Sequence, residues 1–279
     1  MFADLHMHTR FSDGSDDAYS FIENIKKSGV SVFALTDHDT VDGIEAISAA
    51  LSDSLHFIAG VEFSCICPEG KCHILGLGIK PDHPLLRMTL TKGESIRREK
   101  LTKRLIHLEK NHGIVFNEAE MAYVRAQNRV GKPHLAKLLI ARGFSSNVTD
   151  AIKTYLDLPE DGSDRIPADE AIRAITAAGG IPVWAHPLGG EGEKRLTESE
   201  FRTLLDTLLS YGIRGMECYY SRYHMESIAF LLHAAKEYQL LISGGSDYHG
   251  VNKNIAIGEL NAEKIPVDGE KLTILSHLI

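Results

Sequence analysis

Residues 32–39 read VFALTDHD: four apolar side chains in a row, then Thr36, Asp37, His38 and Asp39. A short unbroken apolar run suits a strand buried on both faces, as in parallel sheets; a strand with one wet face would alternate. The same grammar recurs along the chain. Residues 2–5 run into His6 and His8, 57–61 into Glu62, and 181–185 into His186 and Pro187. Residues 215–216 run into Glu217, Cys218 and Tyr219, and 240–245 into Asp247 and His249. Helical spacing fills the intervals. Residues 17–28 carry Phe21, Ile22 and Ile25 and stop at Gly29; 168–178 follow Pro167 with Ala171, Ile172 and Ile175 on one face. Stretches 201–210 and 224–238 behave alike. Strand alternating with helix predicts an α/β fold with parallel strands.

The rhythm breaks between about residues 84 and 167, where no buried strand is evident. Residues 85–112 read as a long charged helix containing ESIRREKLTKRLIHLEK, shorter helical pieces cover 134–141 and 148–156, and 159–165 (PEDGSDR) reads as a loop. A chain of 279 residues suffices for one β/α barrel with an insert. The expected division is therefore a barrel from 1–83 and 168–279, and a helical insert over 84–167.

Composition bounds the function classes. Hydrophobic residues make up 43% and charged residues 24%, which suits a globular domain. No apolar run approaches the roughly 20 residues that span a bilayer. The start, MFADLHMH, lacks a basic region followed by an apolar one, so no export signal is read and a cytoplasmic location is expected. Cys65, Cys67 and Cys72 cluster while Cys218 is distant, a poor disulfide framework that points to a reducing compartment. The net charge of -8 disfavours general nucleic-acid binding. Glu94, Glu99 and Glu109 interrupt the basic residues of the charged helix, which reads as a solvated face and not as a track for duplex DNA.

The strand ends carry the chemistry. His6 and His8, two apart, share one face of an extended segment. Asp13 follows in the turn FSDGSD; His38 follows the second strand, Glu62 the third, and His73 opens another apolar stretch. His186 follows a later strand, Asp247 and His249 the last. Parallel barrel strands point the same way, so their C-terminal ends meet on the face where barrel active sites form. Six histidines and three carboxylates would converge there, and imidazole with carboxylate is the donor set of Zn, Mn and Fe. Singly, each fragment is ordinary: a histidine pair, a turn with a helix cap, a strand-end acid. Together they point to a metal cluster. Cys65, Cys67, Cys72 and His73 offer a separate structural-zinc reading, but C-x-C-x4-C-H departs from the commoner C-x2-C spacing.

HMHTRFSDG, LTDHDT, GVEFS, CHILGLG, AHP and GSDYHG, in this order, resemble the motifs of the polymerase and histidinol phosphatase (PHP) superfamily. The resemblance implies a distorted seven-stranded β/α barrel, a distorted (β/α)7 barrel with a helical insert over its mouth, and two or three divalent ions (Mn, Fe or Zn). It implies one ion on His6, His8, Glu62 and Asp247, a second sharing Glu62 with His73 and His186, and a third on Asp13, His38 and His249. The insert resembles the branch of nucleotide 3′-phosphatases and 5′–3′ exoribonucleases. VGKPHLAKLL then implies Lys132 and His134, and CYYSRYH implies Arg222, as contacts to substrate phosphate. The expected function is hydrolysis of 3′,5′-bisphosphate nucleotides or short 5′-phosphorylated oligonucleotides by metal-activated hydroxide. The proton donor to the leaving oxygen is not identifiable from sequence, and Asp37 and Asp39 suit orienting His38 as well as they suit that role. The rivals are a histidinol-phosphate-type phosphatase, an amidohydrolase, and a non-catalytic metal-binding domain.

Overall fold

A computed structural model describes residues 1–51, 54–126, 130–158, 165–190 and 194–279. The chain divides into two compact units, one of Met1–Leu90 with Ile166–Ile279, the other of Thr91–Arg165.

The first unit alternates strand and helix: β1 (Ala3–Asp4), α1 (Ala18–Ser28), β2 (Val32–Leu35), α2 (Gly43–Ala50), β3 (His56–Cys67) and β4 (Gly70–Leu77). The helix α3 (Pro84–His112) leads into the second unit. That unit adds α4 (Glu118–Arg125), α5 (Lys132–Ala141) and α6 (Val148–Ala151), the last continued by a π-turn over Ile152–Leu156. The chain returns through β5 (Ile166–Pro167), α7 (Ala168–Ala177), β6 (Ile181–Ala185), α8 (Glu198–Tyr211), β7 (Gly215–Tyr220), α9 (Met225–Glu237) and β8 (Leu241–Gly245).

Seven strands run in the order β1-β2-β3-β4-β6-β7-β8, with β5 beside β3. The first returns to the last: the Leu5 amide donates to the Gly244 carbonyl at 3.1 Å, and Met7 bridges Tyr248. The sheet is therefore a nearly closed, distorted barrel. Leu5, Met7, Phe33, Val61, Phe63 and Ile74 are completely or almost completely buried. Four-residue β2 is buried throughout, as its unbroken apolar run requires.

Three expectations need correction. The strands are not all parallel: β4 runs antiparallel to both β3 and β6. The reason is local, because Cys67 pairs with Gly70 and only Pro68 and Glu69 lie between them. A two-residue connection can join only antiparallel neighbours, since a parallel crossover needs a dozen residues or more. Glu62 does not end its strand either; β3 continues past it into this hairpin. The stretch without a strand contains one at its margin, β5, which pairs Ile166 with Cys65. In addition α2 was not anticipated. Most of the expected 159–165 loop, residues 159–164, lies outside the described residues.

The second unit has its own core of Leu108, Ile114, Phe116, Val124, Leu135, Leu139 and Leu156, with Ala136 and Ala151 between them. Asn117 caps α4 in a reciprocal box with Glu120. The charged face of α3 is not wholly solvated: Arg104 is buried and its Nε donates to the Leu156 carbonyl at 3.3 Å. Among the described residues no helix is long and apolar enough to cross a membrane.

Candidate metal centre

The barrel brings the nine expected side chains of the first unit together. His6 and His8 follow β1, both fully buried. His6 sits against β8 so tightly that a Cβ on Gly245 would lie 2.2 Å from the His6 Cβ. The turn carrying Asp13 is held from beneath by Asp37, which accepts from the Thr9 amide (2.8 Å), the Thr9 hydroxyl (2.7 Å) and the Ser12 hydroxyl (2.6 Å). Asp37 thus secures this turn, where the sequence also offered it as orienting His38. Asp39 accepts from the Ser64 amide at 2.9 Å. His73 reaches the same region from the beginning of an antiparallel strand, which is why it joins side chains from the ends of parallel ones.

Glu62 lies between two sets of imidazoles. Its Oε2 is 3.0 Å from His6 Nε2 and 3.2 Å from His8 Nε2. Its Oε1 is 2.9 Å from His73 Nδ1 and 3.2 Å from His186 Nε2, and those two nitrogens are 3.3 Å apart. Asp247 Oδ1 closes the first set, 3.3 Å from His8 Nε2 and 3.7 Å from His6 Nε2. Donor atoms bound tetrahedrally at about 2.0–2.2 Å stand roughly 3.3–3.6 Å apart, so these spacings suit a shared cation. A looser set surrounds Asp13: His249 Nε2 at 3.1 Å, His8 Nδ1 at 3.8 Å and His38 Nε2 at 3.9 Å. His38 is also close to Glu62, with Nδ1 3.1 Å from Oε2.

Buried nitrogens without hydrogen bonds make the same point. Both ring nitrogens of His8, Nδ1 of His38 and Nε2 of His249 have no hydrogen-bond partner. Leaving such groups unpaired is costly, and a bound cation would satisfy them. Charge agrees with geometry. Burial opposes protonation of His6, yet Glu62 and Glu217 outweigh it and raise its proton affinity well above that of a free imidazole. Burial likewise opposes the charge on His8, but Asp247 and Glu62 raise its pKa to about 9. Burial lowers that of His38 to about 3. The carboxylates therefore call for positive charge, and metal binding here would displace protons. Asp39, His186 and Asp247 have positive φ without being glycine, a strain that accumulates at functional sites.

The PHP domain family matches residues 4–158. The chain belongs to the PHP family. It is 33% identical to a 5′-3′ exoribonuclease of Haemophilus influenzae over 250 residues, 88% of this chain and 89% of that one. It is 30% identical to a phosphoribosyl 1,2-cyclic phosphate 1,2-diphosphodiesterase of Eggerthella lenta, covering 90% and 95%. It is also 30% identical to a 3′,5′-nucleoside bisphosphate phosphatase of Chromobacterium violaceum, covering 88% and 86%. A solved structure from Bifidobacterium adolescentis, assigned as a metal-dependent phosphoesterase, superposes with a TM-score of 0.78 at 25% identity, covering 95% and 96%. This PHP chain is accordingly a hydrolase of phosphate esters, with histidine and acid clusters able to hold metal.

The PHP motifs did not reveal what stands behind these side chains. Glu217, completely buried, accepts from His6 Nδ1 at 2.9 Å and from the His186 amide at 2.7 Å. Tyr220 and Lys253 donate to Asp247 Oδ2 at 3.0 and 2.7 Å, leaving Oδ1 for the histidines. Glu217 and Tyr220 are three apart, a spacing that puts side chains on opposite faces of a regular strand. A bulge between Glu217 and Tyr219 changes that phase, and no sequence signal announces it. Lys132 and His134 lie in the second unit, in the first turn of α5. There Lys132 pairs with Asp157, and His134 Nδ1 accepts from the Gly131 amide at 3.1 Å. Arg222 lies exposed in the turn after β7. Cys65 and Cys72 pair across the hairpin on the face opposite Ser64 and His73, so the three cysteines and His73 do not form a zinc site. All four cysteines are buried, and none is in a disulfide.

Proposed function

We propose that the chain is a metal-dependent phosphatase or exonuclease acting on nucleotides, its substrates being 3′,5′-bisphosphate nucleotides or short 5′-phosphorylated oligonucleotides. The observation that carries the metal reading is the position of Glu62, with one oxygen facing His6 and His8 and the other facing His73 and His186. In this reading His6, His8, Glu62 and Asp247 hold one ion, and Glu62, His73 and His186 a second. Asp13, His38 and His249 hold a third, with manganese, iron or zinc as candidates. When bound, such ions lower the pKa of water and neutralise charge on phosphoryl oxygens. The chain's own residues do the positioning. Tyr220 and Lys253 restrain Asp247, Asp37 restrains the turn of Asp13, and the close packing of Gly245 fixes His6.

The substrate reading rests on the exoribonuclease and bisphosphate-phosphatase relatives and on Lys132 and His134, which match the phosphate-contacting insert motif. The insert then anchors one phosphate while another is cleaved, with Arg222 as a further cation. The test sets adenosine 3′,5′-bisphosphate and 5′-phosphorylated RNA oligomers against histidinol phosphate and p-nitrophenyl phosphate. Nucleotides should win clearly in kcat/KM, and the advantage should shrink when Lys132 and His134 become alanine. A win for histidinol phosphate rejects the nucleotide assignment and leaves the phosphoesterase intact.

A further inference from the structure

Glu217 is completely buried, and its carboxylate has no lysine or arginine partner among the described residues. Burying a carboxyl group is costly unless its hydrogen bonds are made, so an apolar side chain would serve packing better. Its two oxygens are spent on two specific groups. Oε2 accepts from the backbone amide of His186, a donor that cannot become anything else. Oε1 faces His6 Nδ1 at 2.9 Å. An ionised carboxylate only accepts hydrogen bonds, so the proton between them belongs to His6 Nδ1. Nε2, the nitrogen left for a cation, faces Glu62 Oε2 at 3.0 Å and Asp247 Oδ1 at 3.7 Å. Three electron-rich atoms stay this close only with a cation or a proton among them. His186, whose backbone the same carboxylate holds at a φ of 29°, presents its Nε2 to the other oxygen of Glu62.

We propose that Glu217 is a positioning residue of the metal centre, which fixes His6 with its proton on Nδ1 and pins the backbone of His186. One buried carboxylate thereby aligns a histidine in each of the two sets that share Glu62. The inference rests on the metal reading above. The bulge that follows Glu217 in β7 turns Tyr220 towards the same region. Its action extends beyond ordinary packing because it chooses which ring nitrogen is free to bind an ion.

The informative variant is Glu217→Gln, which keeps the shape and gives one arm an NH2 group. The His186 amide still needs an acceptor, so the NH2 must face His6. The ring must then accept at Nδ1 and carry its proton on Nε2, the nitrogen a metal needs. The experiment uses the full chain loaded with Zn2+, which is diamagnetic, with 15N-labelled histidine. Wild type should show a slowly exchanging Nδ1 proton on His6. In the variant that signal should disappear, and calorimetric titration should show Zn2+ affinity lowered about 10- to 100-fold at the affected position. Two results overturn the inference alone: a wild-type spectrum with the His6 proton on Nε2, or a folded variant that binds Zn2+ as tightly as wild type. The wild-type spectrum decides even where the variant does not fold. A wild-type chain that takes up no Zn2+ overturns the metal reading and this inference with it.

Discussion

Glu62 and Asp13 carry the same charge but occupy different positions, and substitution should separate them. Glu62 is enclosed, with His6, His8 and His38 at one oxygen and His73 and His186 at the other, whereas the Asp13 side chain is 47% exposed and stands in the looser set. Glu62→Ala should therefore deplete two positions at once and abolish turnover, while Asp13→Ala should spare most of the bound metal. Elemental analysis of protein purified without chelator reads the difference. Full metal content in Glu62→Ala would remove the bridging role. Gly245 tests how tightly the site is built. The Cβ of Gly245→Ala would fall 2.2 Å from the His6 Cβ and 2.6 Å from its amide nitrogen, and neither neighbour is a flexible chain end. The expected cost is about 1–3 kcal/mol, as for overpacking elsewhere, together with weaker metal binding because His6 must move. A denaturation midpoint and a Mn2+ titration equal to wild type would show that the strand yields without disturbing His6.

At the scale of the element, what could be read from sequence was whatever depends on a run of neighbours. The apolar runs of β2 and β6, the capped helix α1 and the amphipathic α7 lie within a residue of where the pattern put them. The nine clustered side chains were legible because strand ends in a barrel converge whatever connects them. Less legible was anything set by pairing across the sheet. The direction of β4 hinged on Pro68 and Glu69, a short turn that could have been recognised. That Glu217 and Tyr220 face one way depends on a bulge between them in the pairing of β7 with β8, and Glu217 comes into view only with His6 and His186 in place. Local capping makes its own prediction. Thr197 and Glu200 form a reciprocal box at α8, and Lys194 also bonds Glu200. Thr197→Ala should cost about 1 kcal/mol. Hydrogen bonds from Lys194 and Thr197 lower the Glu200 pKa from its ordinary 4.5 to about 2. A depressed carboxyl stabilises the fold above its unfolded pKa, and that contribution fades as pH falls from 4.5 towards 2. The destabilisation of Glu200→Gln should then be smaller at pH 4 than at pH 7 in urea titrations.

Across the whole molecule, two units with separate cores share one chain, and among the described residues only the first carries the clustered histidines and acids. A ligand that binds the folded state alone stabilises it by mass action, by about 4 kcal/mol when its concentration is a thousand times Kd. Removing metal should thus act where the donors are anchored: β1, the ends of β2 and β8, the β3–β4 hairpin and the segment after β6. These segments hold buried carboxylates and imidazoles that lose their counter-charges together. The helices α4 and α5 rest on Leu108, Val124, Leu135 and Leu139, apolar contacts that no metal enters. Hydrogen exchange with Mn2+ and with a chelator should therefore show a large loss of protection at the barrel strands and little change in α4 and α5. Calorimetry should agree, with the chelator moving one transition and leaving the other, so that a single melting temperature would misdescribe the protein. If the helices lost protection equally with the strands, the second unit would be energetically coupled to the metal centre. Such coupling would extend the influence of the ions to Lys132 and His134, the two residues proposed to hold substrate phosphate.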